Sequence, residues 1–167
     1  GQRVMLRAGL KKLRKLEATG AHRITDEGMR VFRNMEQLFE FKLHGPCNGI
    51  TDAGLAQLGN CKGLAWIILN TTGITGGGFA KLRDCTNLQV INLTNAPVTG
   101  VGLEHIEKFP ALINLMLVND TALRDEDLAK FQPPAPLLLI DLTGCTGITE
   151  KGLAALKGIQ SVIPPKR

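Results

Sequence analysis

Cys47–Leu64 reads CNGITDAGLAQLGNCKGL, and about a hundred residues later Cys145–Leu156 reads CTGITEKGLAAL. Working outward from this pair, copies of one frame begin at Ile24, Ile50, Ile74, Val98, Leu123 and Ile148, in steps of 26, 24, 24, 25 and 25 residues. The frame is I-T-D-x-G-L-x-x-L, five further residues, then L-x-x-L-x-L. Its five complete copies hold 30 apolar slots, and all 30 are apolar in a chain that is 44% apolar overall. A partial copy (Leu13, Leu16, Ala18) precedes them, and a half copy (Ile148, Leu153, Leu156) follows. Self-similarity at this period is the signature of stacked structural units.

The period changes inside each unit. L-x-L alternation implies a short strand with one buried face, and G-L-x-x-L implies one to two turns of helix. Thr25, Thr51, Thr75, Thr99 and Thr149 stand where a hydroxyl caps an orphan N–H. Asp26, Asp52 and Glu150 follow at the first helical position, where negative charge suits the dipole. The fifth copy, LRDEDL, has Arg124 for Thr and Asp127 for Gly. That departure predicts an irregular turn there, with Asp125 as the alternative cap.

L-x-x-L-x-L in every copy resembles the leucine-rich repeat family. ITDAGL narrows this to repeats similar to bacterial, notably planctomycete, ones and to the cysteine-containing repeats of F-box receptors. The resemblance spans roughly residues 10–158. It implies an α/β solenoid: a right-handed horseshoe with about six parallel strands on the concave side and short helices on the convex side. One unit cannot bury its own apolar face, so stacking supplies the same architecture on physical grounds. Strands stack about 4.8 Å apart and helices about 10 Å, which curves the stack toward the strands. The family's strand-end Asn ladder is missing, because those positions carry Ala21, Pro46, Thr72, Ala96, Asp120 and Cys145. The expected organisation is a single domain over 1–167. Residues 1–23 form a basic partial repeat, 24–147 five full repeats, and 148–167 a half repeat with a tail.

Charge is concentrated at one end. The net charge is +5, and residues 1–23 hold seven basic side chains against Glu17. Lys11, Lys12, Arg14 and Lys15 form a basic patch for which a solvated face is the plain reading. Contact with an acidic partner is the sharper one. Without interleaved aromatics, nucleic acid is disfavoured as a partner. The longest apolar runs, LAWIIL and LLLI, fall far short of a bilayer span, so a membrane is disfavoured too. Four cysteines without paired C-x-x-C units, and no visible signal segment, favour the cytoplasm.

The repeat absorbs most features that imitate chemistry. Cys61 and Cys85 share one slot in adjacent copies, and Cys47 and Cys145 lie at strand ends, so they read as small apolar filler. GITGGGFAKL (Gly73–Leu82) lacks the endings of a phosphate loop and is the third copy of the frame. The N-x-T triplets at Asn70, Asn92 and Asn119 fit an Asn- and Thr-rich strand end. His22, His44 and His105 occupy unrelated slots, and Ser161 is the only serine. The sequence therefore offers no catalytic set, metal site or cofactor site.

What stacking does not explain is the outward row of each strand. It predicts a concave face with a charged sector (Glu40, Lys42, His44) and an apolar band. Trp66, Ile68, Val90, Ile113, Met116, Val118, Leu138 and Leu139 make the band, with Asn70, Asn92 and Asn114 among them. Contiguous exposed apolar surface marks interaction sites. The expectation is a non-enzymatic module holding a protein or peptide on that face. The alternatives are a structural spacer that forms a weak homodimer through the band, and an electrostatic anchor working through the basic N-terminus.

Overall fold

In the computed structural model, which describes residues 12–165, the frame folds as its periods predict. Seven strands form one open parallel sheet in sequence order: β1 Lys15–Thr19, β2 Glu40–His44, β3 Trp66–Leu69, β4 Val90–Asn92, β5 Asn114–Met116, β6 Leu139–Asp141 and β7 Ser161–Ile163. Each crossover carries a short helix: α1 Asp26–Met29, α2 Asp52–Leu55, α3 Gly100–Ile106, α4 Asp125–Lys130 and α5 Glu150–Leu153. The third copy has only the 3-10 helix Gly77–Lys81. Of the 30 frame slots, only Ile24 is half-buried; the others form the core, including fully buried Phe41, Ile67, Ile91, Leu115 and Ile140.

The sheet has seven strands where about six were expected, because the C-terminal segment expected to be a tail contributes β7. Val162 pairs with Ile140 and packs against the core. It lies 14 residues after Ile148, whereas Ile140 lies 17 after Leu123. The last copy reaches its strand with three residues fewer, which took L-x-x-L-x-L out of frame. Pro164 then follows, and its missing N–H ends the ladder.

Repeats are joined along the helix side by the cap threonines and the acids that follow them, although Thr75, expected to cap, does not: Gly76 holds the N-cap of that 3-10 helix without a side-chain hydrogen bond. Thr25, Thr51, Thr99 and Thr149 do cap their helices, accepting from Gly28, Ala53, Gly102 and Lys151 backbone N–H groups. In three copies the acid that opens the helix also reaches the next copy. Asp26 accepts from the N–H and hydroxyl of Thr51, at 2.7 Å each. Asp52 accepts from the N–H and hydroxyl of Thr75 and from the N–H groups of Gly76 and Gly78. Asp125 accepts from Thr149 in the same way, at 2.8 and 2.6 Å. Close approach explains the frame glycine: a Cβ on Gly78 would sit 2.6 Å from the carbonyl oxygen of Asp52.

The fifth copy is regular, against expectation. α4 spans six residues, and Asp127 accepts from the N–H of Arg124 at 2.9 Å. Asp125 is not its cap, being committed to Thr149. The bulk of Asp127 fits because Gly100 of the preceding copy leaves it room; a Cβ there would collide with the Asp127 carboxylate.

Fully buried Asp120 supplies what the missing Asn ladder would. It accepts from the N–H groups of Val98 (2.7 Å), Ala122 (2.7 Å) and Leu123 (3.0 Å). Burial pushes its carboxyl above the usual aspartate value, opposed by those three donors.

Candidate functional site

One register runs through the sheet and lines up outward side chains from separate copies. Lys15, Glu40, Trp66, Val90, Asn114, Leu139 and Ser161 form one row. Glu17, Lys42, Ile68, Asn92, Met116, Asp141 and Ile163 form the next. Their inward neighbours are buried, so burial alternates along β2, β3 and β5. The sequence-predicted residues Glu40, Lys42, Trp66, Ile68, Asn92, Asn114 and Met116 therefore share one face. His44, Asn70, Ile113, Val118 and Leu138 border these rows.

Val90 is the exception. It was expected within the exposed band, yet it is only 8% exposed. It stands on the outward row between Trp66 and Asn114, one strand spacing from each. Its side chain of three carbons is shorter than both neighbours in the row, Trp66 and Asn114. The apolar band is consequently interrupted at β4, where the open side chains are Asn92 and Thr94.

The charged sector is an assembled network. Both oxygens of Glu40 are engaged, one by the Lys15 ammonium at 2.7 Å and the other by Lys42 at 2.7 Å. Those two contacts hold the Glu40 carboxyl below the usual glutamate value, the Lys15 contact contributing most. The Lys42 ammonium also lies 4.6 Å from the centre of the Trp66 ring, which adds an attraction to the indole face. His44 Nε2 and a Glu17 oxygen are 3.1 Å apart across β1 and β2. The sequence carried a signal for the Lys15–Glu40 pair, whose opposite charges occupy equal frame positions in adjacent copies. Trp66 is thereby braced on one side by a lysine that is itself tied to a carboxylate. Rigid, half-open aromatics of this kind suit partner contact because little side-chain freedom remains to be lost.

The middle of the face is amide-rich. Asn92 Oδ1 accepts from the N–H and hydroxyl of Thr94, while its Nδ2 has the Met116 sulfur at 3.7 Å. Asn70 Oδ1 is buried without a hydrogen-bond donor. Beyond the strand ends runs a column of left-handed residues: Gly45, Thr71, Asn95, Asn119 and Gly144, with φ between 54° and 98°. Asn119 Nδ2 donates to Asn95 Oδ1 (3.0 Å), and Asn95 Nδ2 donates to the Thr71 hydroxyl (3.3 Å). Each of these residues lies 21 places after the start of its copy, a regularity readable in the sequence but passed over.

Of the basic patch, Lys11 lies outside the described residues, while Lys12, Arg14 and Lys15 are exposed. The four cysteines are buried free thiols. Burial pushes Cys61 up to about 12, and Cys85 and Cys145 up to about 11, far from a reactive thiolate. The Cys85 thiol donates to the carbonyl of Cys61, and the Cys145 thiol to that of Leu117. Among the described residues, no helix is long and apolar enough to cross a membrane.

No family model matches the chain, and no curated protein is similar to it. Among solved structures, it is similar to an internalin (inlF) from Listeria monocytogenes, with a TM-score of 0.63 at 23% identity. The similarity covers 83% of this chain and 38% of the internalin chain. With the seven-stranded parallel sheet, that decides the fold. It is a leucine-rich-repeat solenoid. This solenoid spans well under half the length of the internalin chain it matches.

Proposed function

We propose that this solenoid is a non-enzymatic recognition module that holds a protein or peptide on the outward face of its sheet. One observation carries the reading: the register gathers Trp66 and Ile68 of one copy and Met116 of another onto one face, with exposed Leu138 of a third copy bordering it. Packing of the core requires none of them, since the inward residues of the same strands fill it. Leu138 is 48% exposed, and Trp66 is the residue type most enriched in binding hot spots. The braced Lys42–Trp66 pair supports a preformed contact point. The finer resemblance to planctomycete and F-box repeats fits the same role, as does the leucine-rich-repeat fold in general.

Selection from a random peptide library displayed on phage tests this. Peptides recovered on the wild-type chain are expected to lose binding to Trp66→Ala and Met116→Lys, with the far-ultraviolet circular dichroism unchanged. Recovered peptides that bind both variants as well as wild type would contradict the reading.

A further inference from the structure

The outward face divides into two apolar patches separated by a polar strand. Trp66 and Ile68 make the first on β3. Ile113, Met116, Val118 and Leu138 make the second on and beside β5 and β6. Between them lie Asn92 at the end of β4 and Thr94 just beyond it, with Val90 covered. Strands lie about 4.8 Å apart, so Ile68 and Met116, two strands apart in one row, are separated by about 10 Å, and Trp66 and Leu139, three strands apart, by about 14 Å. An extended chain laid across the strands advances about 3.3 Å per residue and turns alternate side chains to one side. Side chains four residues apart then fall on the same side, about 13 Å from each other, which spans the gap between patches.

The polar strand suits the peptide that would cross it. Asn92 Nδ2 has only a thioether near it, at 3.7 Å, and a thioether is a poor acceptor. It is therefore free to donate to a peptide carbonyl. Charge fixes the direction. At the β1–β2 end, Arg14, Lys15 and Lys42 outnumber Glu17 and Glu40 by one. Glu40 is engaged at both oxygens and Glu17 faces His44. Arg14 is exposed, as is the Lys15 side chain at 69%. Among the described residues, the only charged group in the two outward rows at the other end is Asp141.

Resting on the recognition reading above, we propose that the occupant is an extended peptide crossing the strands with an acidic residue and two apolar anchors four positions apart. The acid lies beside Arg14 and Lys15, the nearer anchor on Trp66 and Ile68, and the farther on Met116 and Leu138.

The test is the sequence pattern of peptides selected on the full chain from a random twelve-residue library, followed by affinities of synthetic copies. The selected set is expected to share one acidic position and two apolar positions at that spacing. Alanine at either apolar position should weaken binding at least tenfold. Trp66→Ala should make the nearer position indifferent, and Leu138→Asn the farther one. Arg14→Glu, with Lys15→Gln as a milder second variant, should remove the acidic preference. Peptides that depend on the face but show no fixed anchor spacing, or no response to either charge variant, overturn this proposal and leave the recognition reading standing. A selection yielding no face-dependent peptides overturns both.

Discussion

The joints between repeats come in two kinds. Where the frame has its acid, at Asp26, Asp52 and Asp125, a carboxylate reaches forward and takes the N–H and hydroxyl of the next copy's Thr. Where Gly76 and Gly100 replace it, no such staple forms. Thr99 then leans on the carbonyl of Thr75, and Asp127 fills the space above Gly100. Gly76 adopts φ 98°, and its copy holds a 3-10 helix in place of an α-helix. One frame thus tolerates two solutions, a polar staple or a close backbone approach. The apolar slots are unchanged in both, so those slots define the fold and the joints tune it.

Substitutions sharpen this contrast. The largest effect is expected away from either joint, at the buried acceptor of the strand-end rim. Asp120→Ala strands three backbone N–H groups and should lower unfolding free energy by about 3 to 5 kcal/mol, read from urea denaturation. Asp52→Ala should follow at about 2 kcal/mol, since it strips four donors at a half-buried staple. Asp26→Ala, which strips two, should cost about half as much. At the glycine joint, Gly100→Ala forces a methyl into Asp127 and should cost about 1 to 2 kcal/mol. In an Asp127→Gly background, which itself loses the acceptor for the Arg124 N–H, Gly100→Ala should cost much less, a non-additivity that a double-mutant cycle measures. Equal effects with and without Asp127→Gly would break the account of that joint.

The smallest effect concerns pH. Hydrogen bonds from Thr149 hold the Asp125 carboxyl below the usual aspartate value. A folded-state value below the unfolded one means the staple stabilises above the unfolded pKa of about 4 and is lost as pH falls through the folded value. The stability difference between wild type and Asp125→Asn should therefore shrink below about pH 4. A difference that grows on acidification would contradict the assignment.

The fold was legible because its signal is redundant: an apolar slot such as Leu93 or Ile140 recurs in every copy, and stacking leaves it nowhere else to go. What repeats only partly was harder to read. β7 was missed because a three-residue shortening moved Val162 out of frame. The acids after the caps read as local dipole partners, since nothing in a single copy shows that Asp52 reaches Thr75. Asp120 read as a gap in an Asn ladder, although a carboxylate can accept the same backbone donors. On the face, the register placed Trp66, Ile68 and Met116 together, as their frame positions imply. It could not reveal that Val90 would be covered, because that depends on the size of its neighbours in the adjacent copies.

Everything proposed for the face rests on one register running through all the strands. Spin labels at Glu17→Cys and Asp141→Cys test it by pulsed dipolar spectroscopy, and the buried native thiols, pushed up to about 11 and 12 at Cys85, Cys145 and Cys61, should resist labelling. The two sites share a row and lie five strand steps apart, so a single narrow distribution near about 24 Å between backbone positions is predicted. A broad distribution, or one centred far beyond that span in a chain with unchanged circular dichroism, would contradict it.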